Sequence, residues 1–202
     1  MADTAVRADS TVEDAARLAD AEHAVVLAVI ECRQRLGRDK VTMDDICDAA
    51  GISRAALYRM FPGGRDVLFD VVREHSLREF FGRLTSDVEG ADSMEDLLVR
   101  TIVSSSCALR DDAHLAAALA TEPGAALGDL TFAGLERIIR LATEFMQPYA
   151  DRFAGAADTA ENVDILVRLV ISYHLSPSRV FDFTKKASAT RFVRTHLLPA
   201  IA

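Results

Sequence analysis

The segment Thr42-Met-Asp-Asp-Ile-Cys-Asp-Ala-Ala-Gly-Ile-Ser-Arg-Ala-Ala-Leu-Tyr-Arg-Met-Phe61 decides the reading of this chain. Thr42 is a good N-cap, and Asp44 and Asp45 follow it in the first turn, where the helix dipole favours negative charge. Met43, Ile46, Cys47 and Ala50 then fall at i, i+3, i+4 and i+7, one face of a short helix. Gly51 breaks that helix and offers a positive φ for a tight turn. Ser53 caps a second short helix through Arg54, Leu57, Tyr58 and Phe61, which Pro62, Gly63 and Gly64 stop. Two short helices joined through a glycine turn make a helix-turn-helix.

The second helix carries polar chemistry on the side away from Leu57 and Phe61. Its N-terminus at Ser53 presents unpaired backbone N–H groups and a positive dipole end, which suit a phosphate. Arg54, Ala55, Tyr58 and Arg59 share the polar side, the natural one to enter a major groove. Arginine can fork to the O6 and N7 of guanine, whereas a tyrosine hydroxyl suits a phosphate. Charge points the same way. Residues 32–65 hold seven basic and four acidic side chains, a local balance of +3, within a chain of net charge −8 that leaves −11 for the rest. That excludes a protein coating nucleic acid over its whole surface and suits a small polyanion-contacting module on an acidic body.

The same residues resemble the DNA-binding domain of the tetracycline-repressor-like (TetR) family of bacterial regulators. The likeness rests on Thr42, Ile46, the Ala50-Gly51-Ile52-Ser53 turn, Leu57-Tyr58 and Phe61, near the N-terminus of a chain of 202 residues. It covers about a quarter of the sequence. It implies DNA contacts from Thr42, Ser53, Arg54, Ala55, Tyr58 and Arg59. Two positions depart from the family pattern. The usual lysine that meets phosphate at the start of the next helix is Gly64, so either Arg65 takes over the contact or Gly64 presents backbone N–H groups. The usual alanine after Ile46 is Cys47, a small apolar change that packing tolerates.

Outward from this segment the chain reads as all-α. Residues 1–10 are small, polar and without periodicity, and are expected as a flexible arm, with Thr11 capping the first helix. The pattern from Val12 to Leu36 is long for one helix and leaves one helix or two open. Beyond the helix-turn-helix, an amphipathic helix from Asp66 to about Leu84 is expected to turn Val67, Phe69, Val71, Val72, Phe80 and Phe81 inward. Further helices are expected at about residues 93–109, 113–121, 127–149, 158–175 and 187–198, punctuated by Pro123-Gly124, Pro148, Gly155, Pro177 and Pro199. The domain plan is thus an arm (1–10), a helix-turn-helix domain (11–65) and a helical ligand-binding and dimerisation domain (66–202).

Two roles for the larger domain are implied by the resemblance. Its last two long helices carry apolar stripes, Val163, Leu166, Leu169, Val170 and Tyr173 on one and Phe192, Val193, His196 and Leu197 on the other. These stripes are expected to pair two copies around a two-fold axis, although an intrachain core would look identical. Its middle helices would enclose an effector pocket. Candidates for the wall are Phe81, Leu84, Ile102, Ser105, Cys107, Phe132, Phe145, Met146 and Tyr149, all equally compatible with plain core. An acidic body disfavours a highly anionic effector and favours an apolar or amphipathic one. The expected function is a ligand-responsive, homodimeric repressor on a palindromic DNA operator.

Other classes fit less well. Five scattered histidines make no HxxxH or HExxH pair, and no GxSxG, Walker or GxGxxG segment occurs, so no enzyme, metal or cofactor is expected. A module whose helix-turn-helix binds a protein is the alternative, but Arg54, Arg59 and Arg65 argue for a polyanion. No apolar run approaches the roughly 20 residues of a membrane span, and no secretory signal is read. Cys32, Cys47 and Cys107 are expected as small buried residues in a reducing, cytoplasmic setting.

Overall fold

The computed structural model describes residues 2–37, 40–153 and 159–201, with side chains at all of these except 2–17, 132, 133, 200 and 201. No strand occurs among the described residues. The chain divides into two compact units, Met1–Ser76 and Leu77–Ala202, a later division than the expected boundary after Arg65.

In the first unit, helix α1 spans Ala2–Leu36. It is one helix, and it includes residues 2–10 of the expected arm and the expected cap at Thr11. The physical reason lies in composition: no glycine or proline precedes Gly37, and alanine, leucine, glutamate and arginine, all strong helix formers, recur throughout. Helices α2 (Met43–Ala50) and α3 (Arg54–Met60) come next, and α4 (Gly64–Val88) begins in this unit. Val25, Val29 and Cys32 of α1 meet Ile46, Leu57, Leu68 and Val72 in one core, each of these seven fully buried. Burying a leucine or isoleucine to this degree contributes about 1.5–3 kcal/mol. This core holds α2 and α3, which are too short to be stable alone.

On α4 the inward face differs from the expectation. Leu68, Phe69 and Val72 are buried, while Val67 and Val71 are 41% and 38% exposed. Valines at both positions lie on the apolar side only if the stripe is drawn one residue out of phase. The fully buried Leu68 and Val72, four residues apart, set its true centre.

The second unit contains α5 (Met94–Asp111), α6 (Ala113–Thr121), α7 (Pro123–Leu130), α8 (Phe132–Ala150) and α9 (Thr159–Leu175). It ends with α10 (Lys186–Phe192), a π-helical turn at Val193–Leu197 and α11 (Leu198–Ile201). The single helix expected over 127–149 is two, broken at Thr131, whose backbone is extended at φ −132° and ψ 177°. Thr131 donates its hydroxyl to the Leu127 carbonyl, and a side chain at Gly134 would strike the Asp129 backbone, so the glycine permits this tight junction. Pro148 lies in the last turn of α8, where its missing N–H forfeits a single bond near the end. Gly155, expected as punctuation, lies outside the described residues.

Two apolar clusters hold this unit. Leu98, Val99 and Ile102 of α5 meet Leu166 of α9 with Phe183, Ala189, Phe192 and Val193. Val88, Leu97, Ala142, Met146 and Val163 form the other, with Phe81, Phe145 and Tyr149 against it. Among the described residues no helix is long and apolar enough to cross a membrane, and no three His, Cys, Asp or Glu side chains converge on a metal-sized site.

Candidate nucleic-acid interface

The helix-turn-helix is built by local hydrogen bonds that the side chains make with their own backbone. Thr42, with φ −99° and ψ 163°, accepts at Oγ1 from the Asp45 N–H at 3.2 Å. The Asp45 carboxylate returns the bond, accepting from the Thr42 N–H at 2.8 Å and the Thr42 hydroxyl at 2.6 Å. This reciprocal capping box fixes the start of α2. The two bonds from Thr42, the hydroxyl first, hold the Asp45 carboxyl below its ordinary range. Gly51 turns the chain at φ +66°, and Ser53 accepts from the Ala56 N–H at 3.2 Å to start α3. Leu57 and Phe61 point into the core.

All seven residues expected at the interface are exposed: Thr42, Ser53, Arg54, Ala55, Tyr58, Arg59 and Arg65. Tyr58, a large aromatic residue, is 45% exposed. Arg54 places Nε 3.3 Å from Asp44 Oδ1, across from the first turn of α2. Arg65 lies just inside α4, its guanidinium carbon 5.0 Å from the centre of the Phe69 ring, and that of Arg33 lies 5.6 Å from the same ring. Neither Asp44 nor Arg33 is among the residues expected to act here. The sequence presents Asp44 as a helix-start signal and Arg33 only as part of the basic window.

Residues 31–72 match the family model described as bacterial regulatory proteins, tetR family. The helix-turn-helix is that of the TetR family. Two solved structures extend the likeness along the chain. The TetR family repressor AlkX from Dietzia sp. strain DQ12-45-1b, implicated in biodegradation of n-alkanes, is 26% identical, with a TM-score of 0.61 over 87% of this chain and 98% of that one. A Mesorhizobium loti protein described as a TetR-family transcriptional regulator is 19% identical, with a TM-score of 0.54 over 88% and 97% of the two chains, a likeness of fold. No match is found among curated proteins.

In the second unit, the expected wall residues do not gather in one place. Phe81 stacks on Phe145 at 5.5 Å between centroids, Phe145 tilts against Tyr149 at the same spacing, and Met146 is buried beside them. Ile102 is fully buried in the other cluster, and Leu84 and Ser105 are buried. Cys107 is partly buried, its thiol 3.8 Å from the Thr184 carbonyl oxygen. The Phe132 side chain lies outside the described residues. A groove of about 280 Å³ is lined by Ser86, Asp87, Val99, Arg100, Val103, Ser104 and Lys186 and by none of the expected wall residues.

Of the expected interface stripes, Val163, Leu166, Val170, Phe192 and Val193 are buried within the single chain. These five serve its own core, because a side chain already covered by its own chain adds little new surface to a partner. Leu169, Tyr173 and Leu197 are partly buried against the same core. His196 is exposed, with its ring centre 5.0 Å from that of Phe192. The outward stripe of α9 is instead Glu161, Ile165, Arg168 and Ser172, in which Ile165 is 43% exposed.

Proposed function

We propose that this chain is a ligand-responsive transcriptional repressor that binds a palindromic DNA operator as a homodimer. The observation that carries the reading is the exposed polar face of α3, Arg54, Tyr58 and Arg59, held by capped helices over a shared core within the TetR-type segment. In this reading α3 enters the major groove, Arg54 and Ala55 face base edges, and Thr42, Ser53, Tyr58, Arg59 and Arg65 meet the backbone. A single helix-turn-helix makes few base contacts, so two copies read half-sites about 34–36 Å apart. The pairing surface is the outward side of α9 and the segment between α9 and α10, where Ile165 and Val180 respectively are exposed apolar residues.

The effector is an apolar or amphipathic molecule held among Phe81, Phe145, Met146 and Tyr149. The aromatic cluster they form supports this, as does the likeness to a repressor implicated in n-alkane biodegradation. Regulation is linkage: an effector that prefers a different separation of the two reading helices weakens DNA binding by its differential affinity for the two states. Tenfold release requires only about 1.4 kcal/mol of coupling.

The test is fluorescence anisotropy of the full-length protein on duplex from upstream of its own gene, against random duplex and across salt. Selective, salt-sensitive binding that Arg54→Ala and Tyr58→Ala each weaken, with the dimer intact, supports the reading. Binding unaffected by both changes refutes α3 as the reading helix. No binding even at low salt refutes DNA as the partner.

A further inference from the structure

Arg54 does not stand alone on the reading face. Its Nε lies 3.3 Å from Asp44 Oδ1, and the two side chains stay 61% and 66% exposed. An ion pair this open contributes little to stability, so its consequence is geometric. Pairing through Nε leaves both Nη groups available, and these are the parallel donors that span guanine O6 and N7. We propose that Asp44 is a specificity-determining residue, which holds the Arg54 fork in the orientation that reads guanine. This rests on the DNA-binding reading above and names the base and the residue that positions its reader.

The neighbouring acidic side chains have other employment or other places. Asp45 is committed to the Thr42 cap through two hydrogen bonds, and Asp48 lies a turn further along α2. Asp44 is the carboxylate that reaches the first residue of α3. Arginine has a long side chain with many rotamers, and a partner that restricts it before binding lowers the ordering cost at the base. A carboxylate on this face also repels phosphate, which lowers affinity for duplex of any sequence. The two effects separate experimentally. Orientation acts at one base pair, whereas repulsion acts on every sequence alike.

The experiment selects a randomised duplex library on the full-length protein and sequences the bound pool, for wild type, Arg54→Ala, Asp44→Asn and Asp44→Ser. The position at which Arg54→Ala loses its preference is the base that Arg54 reads, and guanine is expected there. Both Asp44 variants are expected to weaken that guanine preference by about tenfold, to leave the other positions unchanged and to bind random duplex more tightly. Retention of the cap by Asp45 keeps both variants folded, checked by thermal melting. An unchanged motif in the Asp44 variants, with only a uniform gain in affinity, overturns the proposal and leaves the DNA-binding reading standing. An Arg54→Ala motif identical to wild type overturns it too. A wild-type pool with no motif overturns both.

Discussion

Tyr58 of α3 lies against Gly64 at the start of α4: a side chain at Gly64 would set its Cβ 3.4 Å from Tyr58 Cε1. Gly64 has φ +65°, and its N–H donates to the Phe61 carbonyl at 2.8 Å. The position where the family resemblance leads one to expect lysine is therefore left-handed here, a conformation that costs a residue with a Cβ about 1–2 kcal/mol. Gly64→Lys is expected to lower stability by about 1 kcal/mol and to leave DNA affinity no better. Thermal unfolding and anisotropy check this, and a stable, tighter-binding Gly64→Lys protein would contradict it.

Arg65 takes the place next to that turn, and the Phe69 ring braces its guanidinium. A phosphate contact carries no sequence information, so Arg65→Ala is expected to weaken binding to all duplexes similarly. The slope of log K against log salt should shrink by about 1. A loss confined to one sequence would make Arg65 a base reader instead.

The Thr42–Asp45 box makes a stability prediction with a pH signature. Thr42→Ala removes the cap and is expected to destabilise the protein by about 1 kcal/mol at neutral pH. Asp45 has its folded pKa held down, so its contribution is complete above the unfolded value, about 3.9, and is lost as pH falls through the folded value. The stability gap between wild type and Asp45→Asn should therefore close as the solution is acidified below about pH 4. Urea unfolding across that window measures it. A gap constant with pH would mean that Asp45 owes nothing to its charge.

The three cysteines are unequal. Cys32 and Cys47 are buried, and that burial pushes both thiols up, so neither is an available thiolate at neutral pH. Cys107 is partly exposed. A thiol reagent on the native protein is expected to modify Cys107 first and the other two only on unfolding. Mass spectrometry of a timed labelling series identifies the sites, and early labelling of Cys32 would show that the core of the first unit opens readily.

The helix-turn-helix is legible in the sequence because each of its signals acts over three or four residues. Thr42 and Ser53 bond to the N–H groups of Asp45 and Ala56, and Gly51 supplies its own positive φ. Ala113–Thr121 is legible for the same reason, between the Asp112 cap and Pro123. These features are written in the chain at the range over which a helix starts and stops.

Tertiary structure decides what each apolar stripe meets. Periodicity shows that Leu166 and Val193 share faces with apolar neighbours, but a stripe looks the same whether its cover comes from its own chain or from a second copy. Here the cover is Ile102, Phe183 and Phe192 of the same chain. The phase of α4 is decided by which valines and leucines the core of the first unit accepts, and the break at Thr131 by a close approach of backbone that Gly134 permits. The pairing of Asp44 with Arg54 and the shared ring beneath Arg33 and Arg65 each join residues from different helices. Local pattern determines where a helix begins and which side is apolar. Which charge stands beside which depends on the angle at which helices pack, and that angle exists only once the core has formed.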